Sequence, residues 1–236
     1  MNYILFISDL HLQESKPQKT AMFLKFLKEH QKAKALYILG DLFEAWIGDD
    51  IDTEFTRTIQ SALKQYVALG VSTYVMPGNH DFLLGKKFAK NTDCIIIKES
   101  MKINLYGKDT LLIHGDSLCV NDHAFMRLRK YMYNPKLQKY FLMLPIFIRK
   151  IFAKKIQARV KNKGNLKIDK IKDIDAAARL NLIRQHHVKQ LIYGHVHKAT
   201  NDKIQNKECR YITLGAWHDV PNYLVYYEDH TIKFFI

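Results

Sequence analysis

Cysteine, proline and long apolar runs are scarce in this chain. The three cysteines among 236 residues, Cys94, Cys119 and Cys209, are odd in number and widely spaced. They form no C-x-x-C pair, which argues against a disulfide framework and points to a reducing compartment. The longest apolar run, Phe141 to Ile148, is eight residues long and carries Pro145, far short of a membrane span. The apolar run Tyr3 to Ile7 is stopped by Ser8-Asp9, so no signal peptide is expected. No G-x-S-x-G nucleophile motif and no G-x-x-x-x-G-K-[ST] phosphate loop occurs, which leaves serine-hydrolase and P-loop chemistry without a carrier. Disorder is excluded as well: 47% hydrophobic and 25% charged residues is an ordinary globular balance. The length suits one sizeable α/β core, with or without an appendage.

What the chain does have is a repeated strand ending. Tyr37 to Leu39 runs into Gly40-Asp41, a buried strand whose turn delivers one carboxylate at its C-terminal tip. Ile4 to Ser8 leads to Asp9 and His11, and Val71 to Pro77 leads to Gly78-Asn79-His80-Asp81. Leu111 to Ile113 leads to His114-Gly115-Asp116, and Leu191 to Tyr193 leads to Gly194-His195-Val196-His197. Taken singly, each tip is ambiguous: Asp9-x-His11 reads as well as a turn aspartate beside a surface histidine. Five tips of one kind point instead to a shared site. Residues two apart can face one side, so Asp9 with His11, and His195 with His197, can each address one cation. Asp41 reads as a carboxylate shared by two ions, and Glu44 as a brace behind them. His80, beside Asn79, suits proton donation to a leaving group. His218 is a candidate site residue that reads better as structural or as part of the rim.

Two Asp, one Asn and four His make a mixed nitrogen and oxygen ligand set. It suits Mn²⁺, Fe or Zn²⁺ better than the all-oxygen preferences of Ca²⁺ and Mg²⁺. Two such ions about 3.5–4 Å apart form a clamp for hydrolysis at phosphorus, with metal-held hydroxide as the attacking group. Around these tips, Thr20 to Lys34 and Thr53 to Leu69 read as helices, the second capped by Asp52 in preference to Thr53. Phe88 to Lys108 reads as further strands with turns. Tyr211 to Leu214, Tyr223 to Tyr227 and Ile232 to Phe235 read as strands of a second sheet.

The net charge of +14 is concentrated in one segment. Residues 123–172 hold fifteen Lys or Arg and one acidic residue, Asp169, while the rest of the chain has 22 of each sign. From Pro145 on, Phe147, Ile148, Ile151, Phe152, Ile156 and Val160 follow helical spacing, bordered by Arg149, Lys150, Lys154, Lys155 and Lys161. Three readings compete: a helix packed on the core with a solvated basic side, a lipid- and membrane-facing cap, and a nucleic-acid surface using Tyr131, Tyr133 and Tyr140. Abundant Leu, Ile, Phe and Met favour lipid over nucleic acid. The expected division is a core of residues 1–122 and 173–236 with an inserted helical, basic, lipid-binding cap over 123–172.

The ordered series Asp9-x-His11, Gly40-Asp41, Gly78-Asn79-His80-Asp81, His114 and Gly194-His195-x-His197 resembles the calcineurin-like metallophosphoesterases. That resemblance implies a two-sheet α/β sandwich with two metals at one edge. It assigns Asp9, His11, Asp41 and His197 to one metal, Asp41, Asn79, His114 and His195 to the other, and the general-acid role to His80. Leu42 to Asp50, His114 to Cys119 with Asp122, and Leu214 to Asp219 further resemble the branch of that family acting on UDP-2,3-diacylglucosamine in lipid A synthesis. The branch implies attack on the α phosphorus, Mn²⁺, substrate contacts at Asn79, His80, Asp122, Lys167 and His195, and a peripheral place on the cytoplasmic face of the inner membrane. Another calcineurin-like phosphodiesterase, a nuclease using the basic insert for nucleic acid, or a non-catalytic scaffold are the alternatives; a scaffold has no need of all seven ligands.

Overall fold

The computed structural model describes residues 2–155, 174–203 and 209–236. Two sheets carry the chain. The first has the order β11-β10-β1-β2-β3-β4 and the second β5-β6-β7-β9-β8. Strands β1 (Tyr3–Ile7), β2 (Ala35–Leu39), β3 (Ser72–Met76) and the short β4 (Ile95–Ile96) run parallel. Helices α1 (Pro17–Glu29) and α2 (Glu54–Ala68) make the crossovers between the first three. In the second sheet β6 (Lys108–Ile113), β7 (Gln190–Tyr193) and β9 (Arg210–Thr213) are parallel, with β5 (Ser100–Leu105) and β8 (Thr200–Lys203) as antiparallel edges.

Strand alternation explains the layering. Along β1, Ile4 and Phe6 pack into the core between the sheets, while Leu5 and Ile7 pack into the core shared with α1 and α2. A parallel sheet covered on both faces reads as continuous apolar sequence, hence the unbroken runs before each tip. The outer face of the second sheet is closed by α7 (Ala176–Gln185), through Ile183 against Leu111, Leu191 and Tyr193.

Three details differ from the sequence reading. Strands β10 (Tyr223–Tyr227) and β11 (Ile232–Phe235) lie in the first sheet, β10 antiparallel along the outer edge of β1. They cover backbone groups that β1 would otherwise expose, and Leu224 and Tyr226 point into the inter-sheet core. Residues Lys86–Thr92 form a helix, α3. Its start is capped by Asp49, which accepts from the backbone N–H of Gly85, Lys87 and Phe88 at 3.1, 3.0 and 3.0 Å, a cap contributed from far away in sequence. Helix α2 is capped by Thr53, not Asp52: Thr53 and Thr56 exchange side-chain to backbone hydrogen bonds, while Asp52 pairs with Arg57 at 2.7 Å.

Between β6 and α7 the chain forms α4 (His123–Met132), α5 (Pro135–Leu142) and a helical stretch over residues 146–155, here α6. The expected continuation through Ile156, Val160 and Lys161 lies outside the described residues.

Candidate metal centre

All five tips meet at one edge of the two sheets. The turns are cross-tied: the backbone N–H of Asp9 donates to Gly40 O at 3.1 Å and that of His11 to Asp41 O at 3.0 Å. The N–H of His195 donates to Asp9 Oδ2 at 2.9 Å, and that of His80 to Asp41 Oδ1 at 2.8 Å. Five of the converging residues, Asp9, His11, Asp41, His195 and His197, have φ between 50° and 69°. Left-handed backbone is uncommon away from glycine and concentrates at functional sites. Gly40 fits for the same reason: at φ 92° it lies so close to the His114 ring that a Cβ would overlap Nδ1.

The donor atoms form three overlapping groups: Asp9, His11 and His197; His11, Asp41 and His80; Asp41, His114 and His195. His11 Nε2 and His197 Nε2 are 3.4 Å apart, and His197 Nε2 is 3.3 Å from Asp9 Oδ1. His114 Nε2 is 3.5 Å from Asp41 Oδ2 and 3.1 Å from Asn79 Oδ1. His114 Nδ1 lies 2.9 Å from the carbonyl of Leu39, an acceptor only, so Nδ1 holds a proton. The lone pair of neutral His114 is then on Nε2, facing the Asn79 oxygen. Asp9 Oδ1 is buried, with His197 Nε2 as its close neighbour. A buried carboxylate oxygen among converging imidazole nitrogens is the arrangement a cation satisfies, so the residues fit the two-metal set.

The electrostatics agree. Burial by itself would raise the carboxyls of Asp9 and Asp41, yet the surrounding histidines hold both below the ordinary range. Burial would likewise depress His114, but Asp41, Asp9 and Asp116 push it up to about 10; a field that favours a proton there favours a metal cation in its place. Burial and the neighbouring His114 lower His195 to about 4, keeping it in the neutral form a ligand needs.

Glu44 Oε2 lies 3.4 Å from His11 Nδ1, as a brace would. The Nδ1 of His80 lies 2.9 Å from Glu44 O, and its ring stands edge-on to His11 at 4.7 Å. His218 is exposed beside the site. Asp122 is the N-cap of α4, its Oδ1 accepting from Phe125 N–H at 2.9 Å. Lys167 lies outside the described residues.

Sequence reasoning passed over several supporting residues. Asp81, fully buried, accepts from the N–H of Gly78, Phe43 and Asp41 at 2.7, 3.1 and 3.3 Å, joining two tips through one carboxylate. Burial and the Asp41 charge raise its pKa to about 6. Lys19 Nζ donates to Leu10 O at 3.0 Å and Trp217 N–H to Asp9 O at 3.2 Å, holding the β1 turn. Phe125 of α4 stacks on His195, centroids 6.0 Å apart. Arg129 Nε donates to Asp116 at 2.7 Å and its Nη2 to Glu99 at 2.9 Å. Only Asp81 had a signal in sequence, its place directly after the Asn-His pair.

The comparisons with known proteins bear on this site and on the helices beside it. The chain is 42% identical over 217 residues to a UDP-2,3-diacylglucosamine hydrolase of Klebsiella pneumoniae, covering 91% of this chain and 90% of that one. It is 43% identical over the same span to the Shigella dysenteriae protein of that name, with the same coverage. Among solved structures, a hypothetical protein of Pyrococcus horikoshii shares the fold, with TM-score 0.51 and 12% identity over 100% of this chain and 87% of that one. Residues 3–199 match the calcineurin-like phosphoesterase family; that stretch holds all five tips and both sheet edges that present them, and the chain belongs to that family.

Proposed function

We propose that this protein hydrolyses the pyrophosphate of UDP-2,3-diacylglucosamine to UMP and 2,3-diacylglucosamine 1-phosphate, a step of lipid A synthesis. The observation that carries the reading is that six of the seven donors share overlapping groups, with Asn79 against His114, in a chain 42–43% identical to hydrolases of that name. Asp9, His11, Asp41 and His197 would hold one divalent ion; Asp41, Asn79, His114 and His195 the other, with Mn²⁺ as the proposed metal. Bound there, the ions supply Lewis-acid charge for the phosphoryl oxygens and lower the pKa of a water.

The chain's own groups do the rest. Asn79 offers a neutral oxygen and leaves the pyrophosphate charge unopposed. His80, its Nδ1 held by Glu44 O, is the proposed donor of a proton to the departing 1-phosphate as the bridging P–O bond breaks. Phe125 of α4 keeps water from the His195 side; Tyr133, just past the end of α4, packs on Phe82 and under Arg129. Asp122, at the start of α4, is the proposed contact to the sugar, and Lys167 a proposed phosphate contact.

Residues 123–172 act in this reading as the lipid-binding cap. Nine of the fourteen large apolar side chains exposed among the described residues fall between 128 and 152, so most of that exposed apolar surface lies in this segment. On the outer side of α4 and α5, a cleft of about 530 Å³ is lined by Arg127, Lys130 and Lys136 with Tyr131 and Tyr140 and no acidic residue. Basic and aromatic side chains together suit an anionic bilayer, and we place the protein at the membrane surface. No helix among the described residues is long and apolar enough to cross a membrane.

The test is UMP release from UDP-2,3-diacylglucosamine in detergent, with Mn²⁺ and with EDTA. Metal-dependent release supports the reading. Cleavage of a generic phosphodiester without UMP release would discard the lipid substrate while keeping a phosphoesterase.

A further inference from the structure

Arg149 breaks the pattern of the basic helix. It is 1% exposed, although its neighbours in sequence read as a solvated face. Its guanidinium reaches away from α6 into the loop that follows the β2 tip. Nη1 donates to Ile47 O at 2.6 Å and to Asp50 Oδ1 at 2.8 Å, Nη2 donates to Asp50 Oδ2, and Nε donates back to Leu144 O at 2.9 Å. The planar fork fills one carboxylate and two carbonyls at once, a geometry lysine does not reproduce.

The loop is shaped to receive it. Gly48 sits at φ 136°, and a Cβ there would overlap Arg149 Nη1 and crowd Leu142 at the end of α5 and Asp50 Oδ1. Here α5 and α6 both come up against the core. The loop itself is tied down: Trp46 N–H donates to His80 O at 3.1 Å, and Trp46 Nε1 donates to Asp49 at 2.9 Å. Asp49 in turn caps α3. Arg149 is therefore seated on a loop that Trp46 and Asp49 anchor to the core. On the other side of the loop contact, Phe141 packs on the core and lies 6.3 Å from Phe152, while Phe147 and Ile151 remain exposed at 65% and 50%.

We infer that Arg149, seated in the Gly48–Asp50 socket, is a positioning residue that sets the apolar face of α6 at a fixed distance from the reacting phosphates and so selects a substrate carrying acyl chains beside its pyrophosphate. This rests on the lipid-linked substrate proposed above. Arg149 touches neither the reacting atoms nor the candidate ligands; it acts through the placement of Phe147, Ile151 and Phe152.

The test compares two substrates and one physical readout. In Arg149→Lys and Gly48→Ala, KM for UDP-2,3-diacylglucosamine should rise on the order of tenfold with kcat nearly unchanged, since misplacement of a substrate-holding element by about 1 Å carries costs of that scale or more. Hydrolysis of bis-p-nitrophenyl phosphate should stay within about twofold, as it does not use the helix. Backbone amides of residues 146–155 should exchange faster with deuterium in both variants. The exchanged pair Arg149→Asp with Asp50→Arg should have a lower KM for the lipid substrate than Arg149→Asp alone, with hydrolysis of the small diester alike in the two. Unchanged KM for the lipid substrate, or equal loss on both substrates, overturns the inference. A wild-type protein that cleaves the small diester but not the lipid nucleotide overturns the substrate reading instead, and with it the selecting role, even if exchange still reports the latch.

Discussion

Left-handed backbone at Asp9, His11, Asp41, His195 and His197 is the residue-scale signature of this site. Each such position costs on the order of 1–3 kcal/mol unless its surroundings enforce it. Here they do, through the N–H bonds that run from tip to tip. Asp41 belongs to two of the three donor groups, so Asp41→Ala should abolish turnover while the circular-dichroism spectrum stays native; near-normal activity would sink the assignment. Asp81 acts one step further back. With an amide in place of one acceptor oxygen, Asp81→Asn turns a donor toward a backbone N–H. Mn²⁺ affinity, measured by titration calorimetry, should fall by about 10–100-fold, the usual cost of losing an outer partner, and Asp81→Ala should fall at least as far. Unaltered affinity would reduce Asp81 to a turn residue.

At the scale of elements, short caps and single pairs decide where helices begin and how they sit. Thr53 and Thr56 close the start of α2 reciprocally. Thr53→Ala should cost about 1 kcal/mol, a Tm drop of roughly 2–4 °C in a chain this long, with no change in KM. Helices α4 to α6 show two kinds of basic residue: Arg129 pairs with the buried Asp116 and Arg149 with the half-exposed Asp50, while Arg127, Lys130 and Lys136 line the outer cleft. Phe147→Ser with Phe152→Ser should weaken use of the diacylated nucleotide and spare a small soluble phosphodiester. Equal loss on both would mean that these exposed rings serve packing.

For the whole molecule, the two sheets bring carboxylates and imidazoles to one edge where burial would otherwise oppose their charge. A ligand that binds only the folded form stabilises it by about 2.7 kcal/mol at a hundredfold excess over Kd. Mn²⁺ should therefore raise Tm by several degrees and EDTA should reverse the gain. In Asp41→Ala most of that gain should vanish. A Tm indifferent to Mn²⁺ in the wild type would refute the metal site altogether. The basic charge of residues 123–172 predicts binding to vesicles containing anionic lipid that weakens as salt rises, with little binding to zwitterionic vesicles; binding to RNA in place of vesicles would favour the nuclease reading.

The sequence by itself determined the parts of the site that repeat along the chain. Each buried strand of the parallel sheets is an apolar run, and each of the five tips announces itself by a polar residue after that run, so the convergence of Asp9, His11, Asp41, Asn79, His114, His195 and His197 was legible from order alone. The concentration of charge in residues 123–172 was legible by counting. What only the tertiary structure decided depends on partners distant in sequence. Strands β10 and β11 went to the first sheet because β1 had a free edge to cover. Helix α3 formed where strands were expected because Asp49 caps it from nearly forty residues away. Asp52 lost the cap of α2 to Thr53, whose partner Thr56 lay in the first turn. Arg149, one more cation in a basic helix on paper, became a buried latch because Gly48 leaves room for it and Asp50 faces it. Periodicity records which side of an element is apolar; it carries no record of which remote carboxylate a given arginine will meet.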